Sequence, residues 1–330
     1  MKAEPNRRLV LKGLSVGSAV LFVLKSAQTR PASKIWRIGV LSLTKRDSFT
    51  DAFLKALADL GYIEGKSYVL EPRFEAGNEG RLLIFAKQLA DAQVDIILAR
   101  GTQATQLAKR VTKTIPIVMT GSSDPVGSGL VASLARPGGN VTGMSIVATD
   151  LTEKRLQLIR RLVPRASRIG VLWNPSNSGN VKEFDRLKSA AERFGVRALS
   201  AEVRQAADIG PAINSLVASG ADVIMTLADS ILVGERNEIV KRASEAKLPG
   251  IFHLRDFVEA GGLLSYGPDL HESFRRAAWY VDQIIKGKKP ADLPVQEAVS
   301  IELAVNLGVA KLLGLRIPQD ILVQASKVIE

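Results

Sequence analysis

The chain has 330 residues, 46% of them apolar and 24% charged, with no cysteine and a formal charge of +12. That length holds two ordinary domains with their own cores and excludes a disordered or fibrous chain; the lack of cysteine excludes a disulfide framework, a thiolate metal site, a cysteine nucleophile and a lipid-modified cysteine. The charge does not mark a nucleic-acid binder: Lys2, Arg7, Arg8, Lys12, Lys25 and Arg30 against Glu4 place +5 in residues 1–32, and the remaining +7 is spread without basic clusters or interleaved aromatics.

Asn6-Arg7-Arg8-Leu9-Val10-Leu11-Lys12, followed by the uncharged stretch Gly13 to Leu24, has the basic and apolar regions of an export signal over residues 1–33. Twelve residues of helix rise about 18 Å against a hydrocarbon core of about 30 Å, too short to span it. The expected destination is the periplasm, with cleavage between Gln28 and Lys34. The paired arginines resemble a twin-arginine signal, with Asn6 where Ser or Thr is usual and Val10 where Phe is common.

From Lys34 onward, short β-branched runs alternate with amphipathic stretches of helical length, the pattern of a parallel sheet with helices on both faces. Strands are expected at Ile35 to Leu43, Ser67 to Phe74, Val94 to Ala99 and Ile115 to Thr120, with helices at Ser48 to Leu60, Leu82 to Ala90 and Gln103 to Val111 between them. The series then repeats. Arg37-Ile38-Gly39-Val40-Leu41 recurs as Arg168-Ile169-Gly170-Val171-Leu172, and Val94-Asp95-Ile96-Ile97 as Ala221-Asp222-Val223-Ile224. Ile115-Pro116-Ile117 returns as Leu248-Pro249-Gly250-Ile251, and Asp124-Pro125-Val126 as Asp256-Phe257-Val258, at offsets between 127 and 133. Four matches in one order at a nearly constant offset indicate duplication, hence two similar α/β lobes with parallel sheets.

The chain is expected to cross between lobes three times, near Asn140 to Ser145, Leu263 to Gly267 and Pro294 to Ile301. This assigns 34–143 plus 268–293 to the first lobe and 144–267 plus 294–330 to the second, with Glu272 to Ile285 as a helix returned to the first. Arg136-Pro137-Gly138-Gly139-Asn140 follows no strand and opens no helix, so it fails as a phosphate loop and is expected to start the first crossing.

In an open parallel sheet, ligands bind beyond the carboxyl ends of the strands, where helix N-termini present free N–H groups. Facing lobes would line one cleft with Ser42-Leu43-Thr44 opposite Trp173-Asn174-Pro175, Gly101-Thr102-Gln103 opposite Ala228-Asp229-Ser230, and Ser122-Ser123-Asp124 opposite Leu254-Arg255-Asp256. Such side chains cap helices and also bind small polar solutes. Asp229 fits either a helix cap or a counter-charge to a ligand ammonium; Thr102 and Ser123 fit either caps or a carboxylate site. Asn174, ahead of Pro175, bonds a ligand or closes a turn, and Trp173, ending a buried strand, suits core packing. His253 and His271 are the only imidazoles, and their spacing suits neither a metal pair nor a Ser-His-Asp triad.

Thr120 to Val131, with its Asp-Pro-Val-Gly-Ser-Gly block, and Leu134 to Gly143, with Arg-Pro-Gly-Gly-Asn, resemble the solute-binding proteins of ABC transporters. The likeness is to the tryptophan/tyrosine type, with a type I periplasmic-binding-protein fold. Leu57 to Tyr62, Leu172 to Pro175, Gly261 to Gly267 and Leu313 to Pro318 extend it over nearly all of Lys34 to Glu330. The resemblance implies a receptor that closes two lobes on an amino acid or similar small solute for an inner-membrane permease; the three crossings make a three-strand hinge, the lack of a long apolar surface stripe points to a monomer, and no cofactor or metal is expected. It implies ligand contacts at Thr102, Gln103, Ser122, Ser123, Asp124, Asn174, Asp229 and Tyr266; the facing strand ends add Ser42 and Ser230. Arg100 and Leu227 depart from the pattern, standing where small residues are expected, and aromatics make up only 5% of the chain. The alternatives are a racemase- or isomerase-like enzyme on a related fold, which lacks the paired cysteines such enzymes use, and the ligand-binding half of a repressor, for which residues 1–33 leave no room for a helix-turn-helix.

Overall fold

The computed structural model describes residues 34–330 except 76, 147, 148 and 299, and only the backbone at 149 and 150; the expected export signal lies outside the described residues. The first half runs β1 (Trp36–Ser42), α1 (Ser48–Asp59), β2 (Tyr68–Phe74), α2 (Glu79–Asp91), β3 (Ile96–Arg100), α3 (Gly101–Val111), β4 (Ile117–Ser123) and β5 (Val141–Ile146). The second runs α4 (Thr149–Leu162), β6 (Arg168–Trp173), α5 (Ser178–Arg193), β7 (Arg197–Glu202), α6 (Ile209–Ala218), β8 (Val223–Thr226), α7 (Ser230–Gly234), α8 (Arg236–Glu245), β9 (Gly250–Phe252), α9 (Arg255–Glu259) and β10 (Leu264–Pro268). The chain ends with α10 (Leu270–Ile285), β11 (Gln296–Glu297), β12 (Ile301–Asn306), α11 (Leu307–Leu312), α12 (Gln319–Gln324) and β13 (Lys327–Ile329).

Two sheets result, ordered β11-β5-β4-β3-β1-β2 and β13-β12-β10-β9-β8-β6-β7. Without the late strands, both read 2-1-3-4-5 from the edge inward, with every neighbour parallel, so the repeated sequence is a repeated topology. The repeat persists in detail. Asp95 accepts the N–H of Arg37 at 2.8 Å, and Asp222 accepts that of Arg168 at 2.8 Å, each tying the start of a central strand to its neighbour. Gly39 and Gly170 sit mid-strand for one reason: a Cβ would meet Leu89 Cδ2 of α2 at 2.9 Å and Leu216 Cδ1 of α6 at 2.6 Å. The missing side chains let these helices lie close on their sheets.

The apolar core of the first lobe continues into one face of the second through Ile213, Leu216 and Ile231, and a separate core fills the second lobe's other face. There Trp173 stacks on Phe184, ring centroids 4.5 Å apart, and donates its indole N–H to Ser200. The strand-end tryptophan is core material.

The crossings lie later than the sequence boundaries. Residues 144–146 finish β5 and residues 296–297 pair with it as β11, all in the first sheet, so the chain leaves the first sheet only after Ile146 and again after Glu297. The Arg136–Asn140 loop belongs to the first lobe, where Asn140 donates its amide to the carbonyls of Thr112 and Ile115; it opens β5 and does not start the crossing. Nor are the sheets wholly parallel: β12 pairs antiparallel with β10. β10 leaves the second lobe toward the first and β12 enters from it, so two strands passing the same hinge must run in opposite directions. Between them α10 packs against α1, β4 and β5 of the first lobe.

The Cβ approaches at the two central strands predict that Gly39→Ala and Gly170→Ala each lose about 1–3 kcal/mol in urea denaturation through overpacking. Gly139→Ala, where a Cβ meets nothing within 4 Å, should be neutral or slightly stabilising. Asp269 caps α10 by accepting the N–H of Glu272 at 3.1 Å; His271 and Arg275 hold its carboxyl below the ordinary carboxylate range against the effect of burial. Its stabilisation is therefore present above that range and lost as pH falls through the lowered value. Asp269→Asn, which keeps the cap, should be less stable than the parent by about 1 kcal/mol at neutral pH, the gap closing on acidification of urea melts.

Candidate functional site

The carboxyl ends of the two sheets face each other, and Asp229 lies where they meet. It precedes α7, and its Oδ1 accepts the N–H of Ile231 at 2.8 Å, which makes it the helix N-cap. Its other oxygen, Oδ2, accepts three amide groups: Gln103 Nε2 from α3 of the first lobe at 3.1 Å, Asn174 Nδ2 at 3.3 Å and Asn177 Nδ2 at 3.0 Å. The carboxylate is 4% exposed; burial raises its pKa above the ordinary aspartate value, against the opposing pull of these four donors. The cap role expected for Asp229 is present and is extended by a bond between lobes.

Around it is a cavity of about 30 Å³, lined from the first lobe by Arg100, Gly101, Thr102 and Phe274 and from the second by Asn177, Ser230 and His253 among others. It holds about one or two waters, so a solute of amino-acid size enters only when the lobes part. Further bonds close the seam: Gln106 Nε2 donates to Ser178 Oγ at 3.0 Å, and Lys182 pairs with Asp124 at 3.0 Å. Gly101, at φ +77°, faces Ser230 so closely that a Cβ would lie 2.6 Å from its hydroxyl. These contacts describe closed lobes.

The expected site residues divide accordingly. Thr102, Asp229 and Ser230 line the cavity, and Gln103 and Asn174 reach it through Asp229. Ser122 is fully buried, its hydroxyl 3.2 Å from that of Thr102, and supports it from below. Ser42 acts at one further remove, bonding Thr44 at 2.9 Å, which in turn accepts from Arg100. Ser123 lies in the adjoining seam, its buried hydroxyl unpartnered and 2.2 Å from where a Cβ on Gly179 would stand. Asp124 stands apart on the rim, with positive φ, one oxygen accepting the N–H of Gly127 and the other engaged by Lys182. Tyr266 is apart too: its ring packs on the second lobe's separate core, and its carbonyl accepts Arg155 Nε at 2.7 Å.

The cavity is also lined by Asn177, Thr120, His253 and Phe274, which the sequence did not single out as site residues, and by Arg100, which it marks only as a departure from the pattern. Asn177 had a signal, since Asn174-Pro175-Ser176-Asn177 places two amides in one strand-end loop. His253 is buried and bonded to Thr226 Oγ1 at 2.8 Å; burial and the nearby Arg155 push its pKa well below the ordinary imidazole value, so the ring is neutral. Among the described residues no group of acidic or histidine side chains is arranged to hold a metal.

Residues 37–329 match the model of a family described as ABC transporter substrate binding protein. The chain belongs to this family. A tyrosine-binding protein of Clostridioides difficile is 30% identical over 282 residues, which cover 84% of this chain and 81% of that protein. A Streptococcus pneumoniae ABC domain crystallised with L-Trp superposes with a TM-score of 0.83 at 28% identity, over 90% of this chain and all of that one. The ligand-free, open structure of a Clostridium difficile substrate-binding protein gives 0.61 at 29% identity, over 89% of this chain and 99% of that one. At nearly equal identity this substrate-binding protein superposes better on the ligand-bound structure than on the open one, in keeping with its bonded seam.

Removing the shared acceptor leaves three amides and a helix end unsatisfied. Asp229→Ala in this substrate-binding protein should lose about 2–4 kcal/mol in urea denaturation. Asp229→Asn, whose amide nitrogen must face one of the two donor sets, should lose about 1–3 kcal/mol; an Asn variant as stable as the parent would contradict the four-donor assignment.

Proposed function

We propose that the chain is the receptor of an ABC importer that admits an amino acid or similar small solute between its open lobes, closes on it and presents it to a membrane permease. The observation that carries this reading is the shared acceptor at the seam: Asp229 of one lobe takes hydrogen bonds from its own lobe and from Gln103 of the other, beside a cavity lined by both. A binding site divided between two bodies links occupancy to closure, because a solute that touches both lobes binds the closed form more tightly. Relatives named for tyrosine or crystallised with L-Trp support the solute class. The transport role leaves the chain no reaction to catalyse, and the neutral His253 and bond-saturated Asp229 supply no acid–base pair.

Work outside the cytoplasm fits this role. Among the described residues no helix is long and apolar enough to cross a membrane. The basic and apolar segment ahead of β1 supports export to the periplasm, with the paired arginines favouring the twin-arginine route. The receptor would act there as a monomer.

The test is titration calorimetry of the purified chain with L-tyrosine and L-tryptophan. At least one should bind with a Kd in the micromolar range or below, about −8 kcal/mol. Absence of binding to both at millimolar concentration, with a sugar or other non-amino-acid solute found by native mass spectrometry, would overturn the assignment.

A further inference from the structure

A side chain that departs from the expected pattern also carries a buried donor without a partner. Arg100 ends β3, is 6% exposed and lines the cleft. Its guanidinium is fixed on three sides. Nη1 donates to Thr44 Oγ1 at 2.7 Å and to Asp47 Oδ2 at 2.5 Å, and the group lies over the rings of Phe49 and Phe274, 4.9 and 5.6 Å from their centroids. Nη2 has no hydrogen-bond partner. A buried guanidinium N–H without an acceptor is costly, and one held rigidly beside a binding cavity is a donor waiting for an acceptor.

A second feature points to the same acceptor. Arg100 is the N-cap of α3, an eleven-residue helix, and no side chain caps it, so its first N–H groups open at the cleft wall formed by Gly101 and Thr102. The rest of the lining offers no competing ion. His253 is neutral, Arg100 is the one cation among the described lining residues, and the one carboxylate, Asp229, is already bonded by four donors.

Resting on the amino-acid-class reading above, we propose that Arg100 is the specificity-determining residue of the cleft: its free Nη2 and the uncapped N-terminus of α3 bind the carboxylate of the solute, while the α-amino group is dispensable. The cleft then selects an acid and not an ammonium, and the same site accepts the deaminated carboxylic acid. Arg100 is well suited to this because guanidinium geometry matches a carboxylate, and because its plane is set before the solute arrives.

The experiment is calorimetric titration of the full chain and of Arg100→Gln with three matched pairs of probes: L-tryptophan and L-tyrosine, 3-indolepropionate and 3-(4-hydroxyphenyl)propionate, tryptamine and tyramine. The proposal expects each propionate to bind within about tenfold of its amino acid, and each amine at least about tenfold more weakly. Arg100→Gln should weaken the acids by about 10- to 150-fold and narrow the gap between acid and amine. Amines that bind as tightly as the amino acids, or propionates that fail while amino acids bind, overturn the proposal and leave the amino-acid reading intact. So does an Arg100→Gln variant that melts cooperatively and binds as the parent does. If that variant does not fold, the six probes on the parent still decide. Failure of all six on the parent overturns both this proposal and the reading beneath it.

Discussion

One buried carboxylate is shared by two bodies. Asp229 caps α7 with one oxygen and takes three amides on the other, one of them from across the cleft. A buried carboxylate is tolerable only when its lone pairs are met; the second lobe meets them with Ile231, Asn174 and Asn177, and Gln103 of the first lobe adds a further amide. Opening the lobes removes that amide and admits water, so closure and opening differ by a small exchange of hydrogen bonds. Such near balance suits a receptor, because a solute need supply only a modest differential affinity to shift the population.

The rest of the structure brings these groups to one place. The first five strands of each lobe are ordered 2-1-3-4-5 and parallel, which sends the helices that follow them outward from one edge. The duplicated devices, Asp95 with Arg37 and Asp222 with Arg168, Gly39 beneath Leu89 and Gly170 beneath Leu216, keep both lobes in the same register. The three passages between sheets, after β5, β10 and β11, then turn the carboxyl edges toward each other. The antiparallel pairing of β12 with β10 is the consequence of a chain that goes out and comes back through one hinge.

The repeated strands were legible in the sequence because a short apolar run carrying Ile-Gly-Val has few other meanings, and a second copy at a constant offset removes most of the rest. The hinge was less so. β11 is two residues long and polar, Gln296 and Glu297, and has no pattern to read; its place is set by pairing with Met144 and Ser145. In the site, the paired strand ends pointed to Thr102, Gln103, Asn174, Asp229 and Ser230 because loop polarity at those ends follows from topology, and the structure gathers these side chains around one cavity. Tyr266 came from the family resemblance, which does not say which way the ring packs, and the ring joins the second lobe's core; Asp124 is held at the rim by its turn and its partner Lys182. Arg100 was visible only as a departure, standing where a small residue is expected. Only its fixed plane and unpartnered nitrogen give it another meaning.

The central claim is that the lobes open and close about this seam under control of a solute. The absence of native cysteine permits clean double labelling, and Val126 of the first lobe and Lys188 of α5 in the second are both exposed near the rim pair Asp124–Lys182. Electron–electron double resonance between spin labels at Val126→Cys and Lys188→Cys should give a long or bimodal distance distribution in solute-free protein and a single shorter one at saturation with whichever of L-tyrosine or L-tryptophan binds. A distribution that stays unchanged while calorimetry shows the site filled would contradict the account.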